Sequence, residues 1–158
     1  MAKTDLPILE QRRIEASIIK PIFQAMADRL GEAAAREILT EAITKDAIAQ
    51  GAAYAASEKG DPDLASFYAL LDQWKASGAL EIELLKQSET ELHFNVTRCK
   101  YAEMYADMGL SDIGPTLSCA RDGSFCTGYN PAIKLDRTQT IMQGAGFCDF
   151  RFRTSDCQ

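Results

Sequence analysis

Apolar residues recur at three- and four-residue steps from Ile14 to Leu30, through Ile18, Ile22, Phe23 and Met26. This pattern predicts a helix with one buried stripe. Pro21 falls inside the stripe, so the helix either begins near Lys20 or kinks there. From Gly31 to about Ser57 the chain is rich in Ala, with Ile38, Leu39, Ala42, Ile43, Ala49 and Ala53. Small side chains on that helix permit close contacts, either in the core or along the seam of a homo-oligomer. A third helix follows, with Asp61 as N-cap and Pro62 at its first position. It runs through Leu64, Phe67, Tyr68, Leu71 and Trp74, and Gly78 lies just past its end.

The period then drops to two. Leu80, Ile82 and Leu84 alternate with Glu81 and Glu83, and Leu92, Phe94 and Val96 with His93, Asn95 and Thr97. With a turn at Gln87-Ser88-Glu89, this predicts an antiparallel hairpin with one face buried. A short helix is expected from Cys99 to Met108, stopped by Gly109, and a helical turn from Pro115 to Arg121. A glycine-bearing loop over residues 122–128 and two strands near residues 132–141 and 147–153 complete the pattern. The expected fold is α+β, with N-terminal helices packed against a roughly four-stranded, mainly antiparallel sheet. It forms a single domain over residues 1–158, helical in 1–78 and sheet-bearing in 79–154.

Charge narrows the partners. The net charge of −6 and pI near 4.8 disfavour nucleic acid, because phosphate binding needs a basic surface. No apolar run approaches the roughly 20 residues of a membrane span, and no charged-then-apolar signal segment is present. A cytoplasmic protein with free thiols is expected. Acidity is confined to residues 1–92, with 10 basic and 16 acidic residues, whereas residues 93–158 carry 7 of each. The later half thus keeps Arg98, Arg121, Arg137, Arg151 and Arg153, any of which could hold an anionic small substrate.

The cysteines lie in that same half. All five occur from residue 99 onward, and a thiol is both a strong nucleophile and a soft metal ligand. Cys99 stands where a strand gives way to a helix, and the helix dipole, Arg98 and Lys100 would lower its pKa. Cys119 lies in the helical turn after Gly114-Pro115. Cys148 shares a strand face with Phe150 and Phe152, which suits core packing, while Asp149 on the other face is a candidate acid/base. Cys126 and Cys157 have no motif-like context and are read as bystanders. His93, the single histidine, stands on a polar strand face and is expected to be solvated. Cys99, Cys119, Cys148 and His93 could make a zinc set, but their spacings of 6, 20 and 29 residues match no short zinc knuckle. Gly144-x-Gly146 lacks a third glycine and precedes a strand, which disfavours nucleotide binding.

Four segments together resemble the L-2-amino-thiazoline-4-carboxylic acid hydrolase family. They are Phe94 to Glu103 (FNVTRCKYAE), Leu117-Ser118-Cys119, Arg137 to Gly144 (RTQTIMQG) and Cys148-Asp149-Phe150-Arg151. The resemblance covers roughly residues 10–154 and is clearest from Phe94 onward. It implies opening of a cyclic isothiourea to a carbamoyl-cysteine, on a bacterial route to L-cysteine, by hydrolysis of a C–N bond without a cofactor. The matching positions are Cys99, Cys119, Arg137, Thr138, Cys148 and Asp149. The expected roles are Cys99 as nucleophile and Cys119 or Cys148 as partner thiol. Asp149 or Glu103 would orient the amidinium and move protons, and Arg137, with Arg98, Thr138 and Arg151, would bind a substrate carboxylate. Two other classes stay open: a small-molecule-binding domain without turnover, and a zinc–thiolate protein.

Overall fold

A computed structural model describes residues 5–155; Cys157 lies outside the described residues. Three helices lead the chain: α1 (Ile8–Leu30), α2 (Glu32–Ser57) and α3 (Leu64–Trp74). The hairpin of β1 (Leu80–Gln87) and β2 (Glu91–Cys99) follows, then α4 (Lys100–Asp107) and α5 (Ala120–Tyr129). The last strands are β3 (Ile133–Asp136) and β4 (Cys148–Thr154). The sheet has the order β1-β2-β4-β3 and every neighbouring pair is antiparallel. Helices cover one face, as the α+β expectation requires. Leu92, Phe94, Val96, Cys148, Phe150 and Phe152 point into the core, and Phe67 of α3 packs at a tilt against Phe152 with ring centroids 4.8 Å apart.

α1 departs from the expected face. It runs unbroken through Pro21, and Ala16 and Phe23, not the isoleucine stripe, are buried. Ile14, Ile18 and Ile22 face outward. The helix is apolar on two sides, since Ile19, Met26 and Ala27 also pack on the core. Periodicity alone cannot choose between two stripes; the small Ala16 lets the neighbouring elements approach, and that decides the side.

The α3 cap is Asp63 rather than Asp61. Ser66 N donates to Asp63 Oδ1 at 2.8 Å and Asp63 N donates to Ser66 Oγ at 3.0 Å, a reciprocal capping box. Asp61 has Leu64 three residues on, which cannot return a bond.

Residues 122–128 are helical instead of a loop. Their glycines cost helix propensity, about 1 kcal/mol each relative to Ala. At Gly128, close packing against α2 offsets that cost. A Cβ on Gly51 would sit 2.1 Å from Phe125 O, and one on Gly128 would sit 1.9 Å from Ile48 O. The Ala-rich α2 is therefore core, with Ala35, Leu39, Ile43, Ala47 and Gly51 on its buried side. β3 is also shorter than expected and stops at Asp136; the chain then leaves the sheet.

Candidate functional site

A bulge in β2 sets the direction of the first thiol. Val96 pairs with Ile82 and Arg98 with Glu81, so Thr97 is an extra residue in β2. Strict alternation from Val96 would aim Arg98 inward. The bulge turns Cys99 inward instead, where it caps α4 and is buried. Cys148 lies directly across from Val96 on β4, and its Sγ accepts a hydrogen bond from Ile141 N at 3.2 Å. Cys119 ends a π-helical turn, Pro115–Cys119, which feeds α5 and leaves the thiol half-buried.

One largely buried ion pair lies beside Cys119. Arg137, just beyond β3, donates to Asp122 Oδ2 at 2.5 Å and to the carbonyl of Cys119 at 2.9 Å. Its guanidinium lies 4.8 Å from the centroid of the Phe150 ring. The side chains of Arg137 and Asp122 are only 14% and 19% exposed. Burial pushes the Asp122 carboxyl up, and Arg137 pulls it back. Asp122 acts electrostatically on Cys99, Cys119, Cys126 and Cys148, and Cys119 also feels Cys99 and Cys148. Thiols from the β2–α4 junction, the π-helical turn and β4 thus lie within electrostatic reach of Asp122.

Their protonation reverses the expectation for Cys99. Burial pushes its thiol up to about 11, although the first amides of α4, at Ala102 and Tyr101, pull downward. Burial likewise raises Cys119 and Cys126 to about 12, and raises Cys148 against the Ile141 amide. Desolvation outweighs the helix terminus, so these are neutral thiols at pH 7.

The other expected site residues sit elsewhere. Arg98 and Glu103 pair with each other at 2.8 Å, half-exposed, on the surface of the β2–α4 junction. Arg151 points to the outer face and donates to the carbonyls of Phe94 and Phe150 and to Asn95 Oδ1, at 2.8–3.0 Å. Asp149, also on that face, accepts from Thr138 Oγ1 at 2.6 Å and from the amides of Thr138 and Gln139, both at 2.9 Å. Desolvation acts upward on Asp149, but together these bonds hold its carboxyl below the usual range. Asp149 and Thr138 therefore clamp the turn next to Arg137 and do not meet the thiols.

His93 is not solvated as expected. Its side chain is 16% exposed, and Nε2 has no hydrogen-bond partner, with Glu91 Oε1 3.6 Å away. Burial lowers its pKa. It pairs across the sheet with Arg151, on the face away from Cys148, so the Cys3His zinc set cannot assemble. Among the described residues, no group of three or more His, Cys, Asp or Glu side chains is arranged to hold a metal ion. No helix among them is long and apolar enough to cross a membrane.

Asp122 escaped the sequence reading. Its signal was Cys119-x-x-Asp122, a spacing that puts both residues on one helix face, hidden because residues 122–128 read as a loop. Cys126, one turn further, was passed over for the same reason.

Fold and site together define an α+β domain whose helix-covered sheet encloses a thiol cluster around a carboxylate–guanidinium pair. The chain belongs to the L-2-amino-thiazoline-4-carboxylic acid hydrolase family, whose sequence model matches residues 11–152. A sequence search of curated proteins gives no match. Among solved structures, the chain is similar in fold to the phenol-responsive sensory domain of the transcription activator PoxR, crystallised with phenol. The two share 11% identity at a TM-score of 0.50, over 88% of this chain and 74% of that one.

Proposed function

We propose that the protein hydrolyses a C–N bond of a cyclic amidine or isothiourea that carries a carboxylate, with Cys99 as nucleophile. Cys119 and Cys148 are the accompanying thiols. The observation that carries this reading is the convergence of these cysteines, from separate segments, on Asp122–Arg137.

In the resting protein Arg137 and Asp122 satisfy each other. A substrate with a carboxylate and an amidine offers each of them a new partner: carboxylate to Arg137, protonated amidine to Asp122. Exchange of one ion pair for two keeps the enclosed charge balanced. Cys99 then passes its proton to the Asp122 carboxylate, which returns it to the departing ring nitrogen, so that the thiolate forms beside the bound amidinium. The sulfur adds to the amidine carbon, and the ring C–N bond breaks with nitrogen leaving as the amine. Water adds to the same carbon, the C–S bond to the enzyme breaks, and the thiol is restored. One water is consumed. The raised resting pKa values fit this scheme, because the thiol ionises only when substrate supplies the compensating cation.

The test is incubation with 2-amino-thiazoline-4-carboxylate and related cyclic amidines. A product about 18 Da heavier, lost in Cys99→Ser and in Asp122→Asn, is expected. Full turnover by Cys99→Ser would rule out that nucleophile. A second reading, a binding domain without turnover, draws on the enclosed, protonated state of the thiols and on the fold shared with a sensory domain that holds phenol. Saturable binding of the same compounds with no mass change would favour it.

A further inference from the structure

The outward face of α1 has no partner in the fold. Ile14, Ile18 and Ile22 stand at four-residue steps and are 59%, 59% and 51% exposed, and Leu30 at the end of the same helix is 57% exposed. A single exposed leucine needs no explanation, but a ridge of isoleucines on one helix is a contiguous apolar patch. Beside the ridge runs a low row of exposed short side chains, Ser17, Pro21 and Ala25, also at four-residue steps. A groove of about 390 Å³, lined by Ile22, Ala25, Met26, Arg29 and Leu30, continues the face toward the helix end.

We propose that this face is the interface of a homodimer, with α1 antiparallel to α1 of a second copy. Each Ile14–Ile18–Ile22 ridge seats over the Ser17–Pro21–Ala25 row of the other copy. A two-fold interface uses the same patch twice, so that patch must carry both the projections and the depressions that receive them, as this one does. Charge supports the same alignment. With Ile14 over Ala25 and Ile22 over Ser17, Glu10 near one end meets Arg29 near the other end of the partner helix, twice by symmetry. Glu10 is 44% exposed and holds Arg13 of its own helix at 3.4 Å, a loose surface contact that it can exchange for the solvent-facing Arg29 of the partner. A parallel alignment would set Glu10 against Glu10 and Arg29 against Arg29. The footprint of one helix is smaller than the roughly 800 Å² per partner of a standard interface, so the dimer dissociates on dilution.

Light scattering or sedimentation from about 1 to about 200 µM is expected to show a concentration-dependent dimer. Ile18→Glu/Ile22→Glu should be monomeric throughout, with unchanged circular dichroism and melting, since both side chains are exposed in the fold. Glu10→Arg should weaken dimerisation by about tenfold, and Glu10→Arg/Arg29→Glu should restore it. A wild-type monomer at about 200 µM would overturn the proposal, as would a dimer indifferent to the double isoleucine variant. A wild-type monomer that binds phosphatidylcholine vesicles through this face would also overturn it, and would assign the face to a lipid surface. None of these readouts involves the thiols, so they stand or fall apart from the hydrolase reading.

Discussion

Arg137 with Asp122 and Arg98 with Glu103 are the same chemical pair in two settings. The first is almost enclosed, stacked on Phe150 and within electrostatic reach of the thiols; the second is half-exposed on both sides. In water, a guanidinium and a carboxylate gain little by meeting, because solvent serves each nearly as well. Away from water each charge is screened less, and the field of the pair adds to the burial that dominates its neighbours. Asp122 accordingly acts on four thiols, whereas the shifts of Arg98 and Glu103 are dominated by each other. The family-like segments contain Arg98, Glu103 and Arg137 but not Asp122, and burial distinguishes the pair suited to chemistry.

The sharpest test of this contrast removes one partner of the enclosed pair. Asp122→Ala strands a buried guanidinium and is expected to cost about 3–5 kcal/mol, read as a shift of the urea midpoint, together with activity. A loss no larger than that of a surface carboxylate would break the contrast. Asp149→Asn should act at a distance. Its fold and substrate-free thiols persist, but the Arg137 turn loosens and kcat/KM falls between about tenfold and a hundredfold. Thr138→Ala, which removes the Oγ1 bond to Asp149 and leaves the two amide bonds, should fall between that variant and wild type.

The pH dependence tests the enclosure itself. Cys99 and Cys119 titrate near 9.0 when exposed but at about 11 and about 12 in the fold. Their neutral forms therefore contribute stability that is complete below pH 9.0 and is lost as pH rises toward about 12. Denaturation midpoints should be flat near neutrality and decline across that window, and iodoacetamide should label these thiols slowly at pH 7. Fast labelling of the free protein at pH 7 would show water-accessible thiolates and contradict the enclosure. The smallest effect is expected at the exposed pair: Arg98→Ala and Glu103→Gln should leave melting and turnover at wild-type values. A loss of activity in either would move the site to the surface of the β2–α4 junction.

Period and spacing made most of the elements legible. The Ala-rich helix, the β1–β2 hairpin and the inward set Cys148, Phe150 and Phe152 follow from side-chain alternation or from the 3.6-residue repeat. So does the short helix that follows Cys99. Local signals failed where two answers were locally equivalent. Asp61 and Asp63 both precede the α3 start, and only the reciprocal bond to Ser66 selects the second. α1 is apolar on two sides, and a single helix cannot tell which side will meet the core. Residues 122–128 carry two glycines and read as loop, until the close crossing of α2 and α5 makes glycine the residue that fits at Gly128.

The sequence by itself determined which residue types were present to react and the class of fold that would hold them, because periodicity and composition are properties of the chain alone. Tertiary structure decided which charges lose water. The bulge at Thr97 turned Cys99 inward and left Arg98 outside, the α5 helix carried Asp122 to the thiols, and the Asp149 clamp held the turn beside Arg137. Dielectric environment depends on neighbours far away in sequence, so pKa and partner choice were set only once those neighbours were in place.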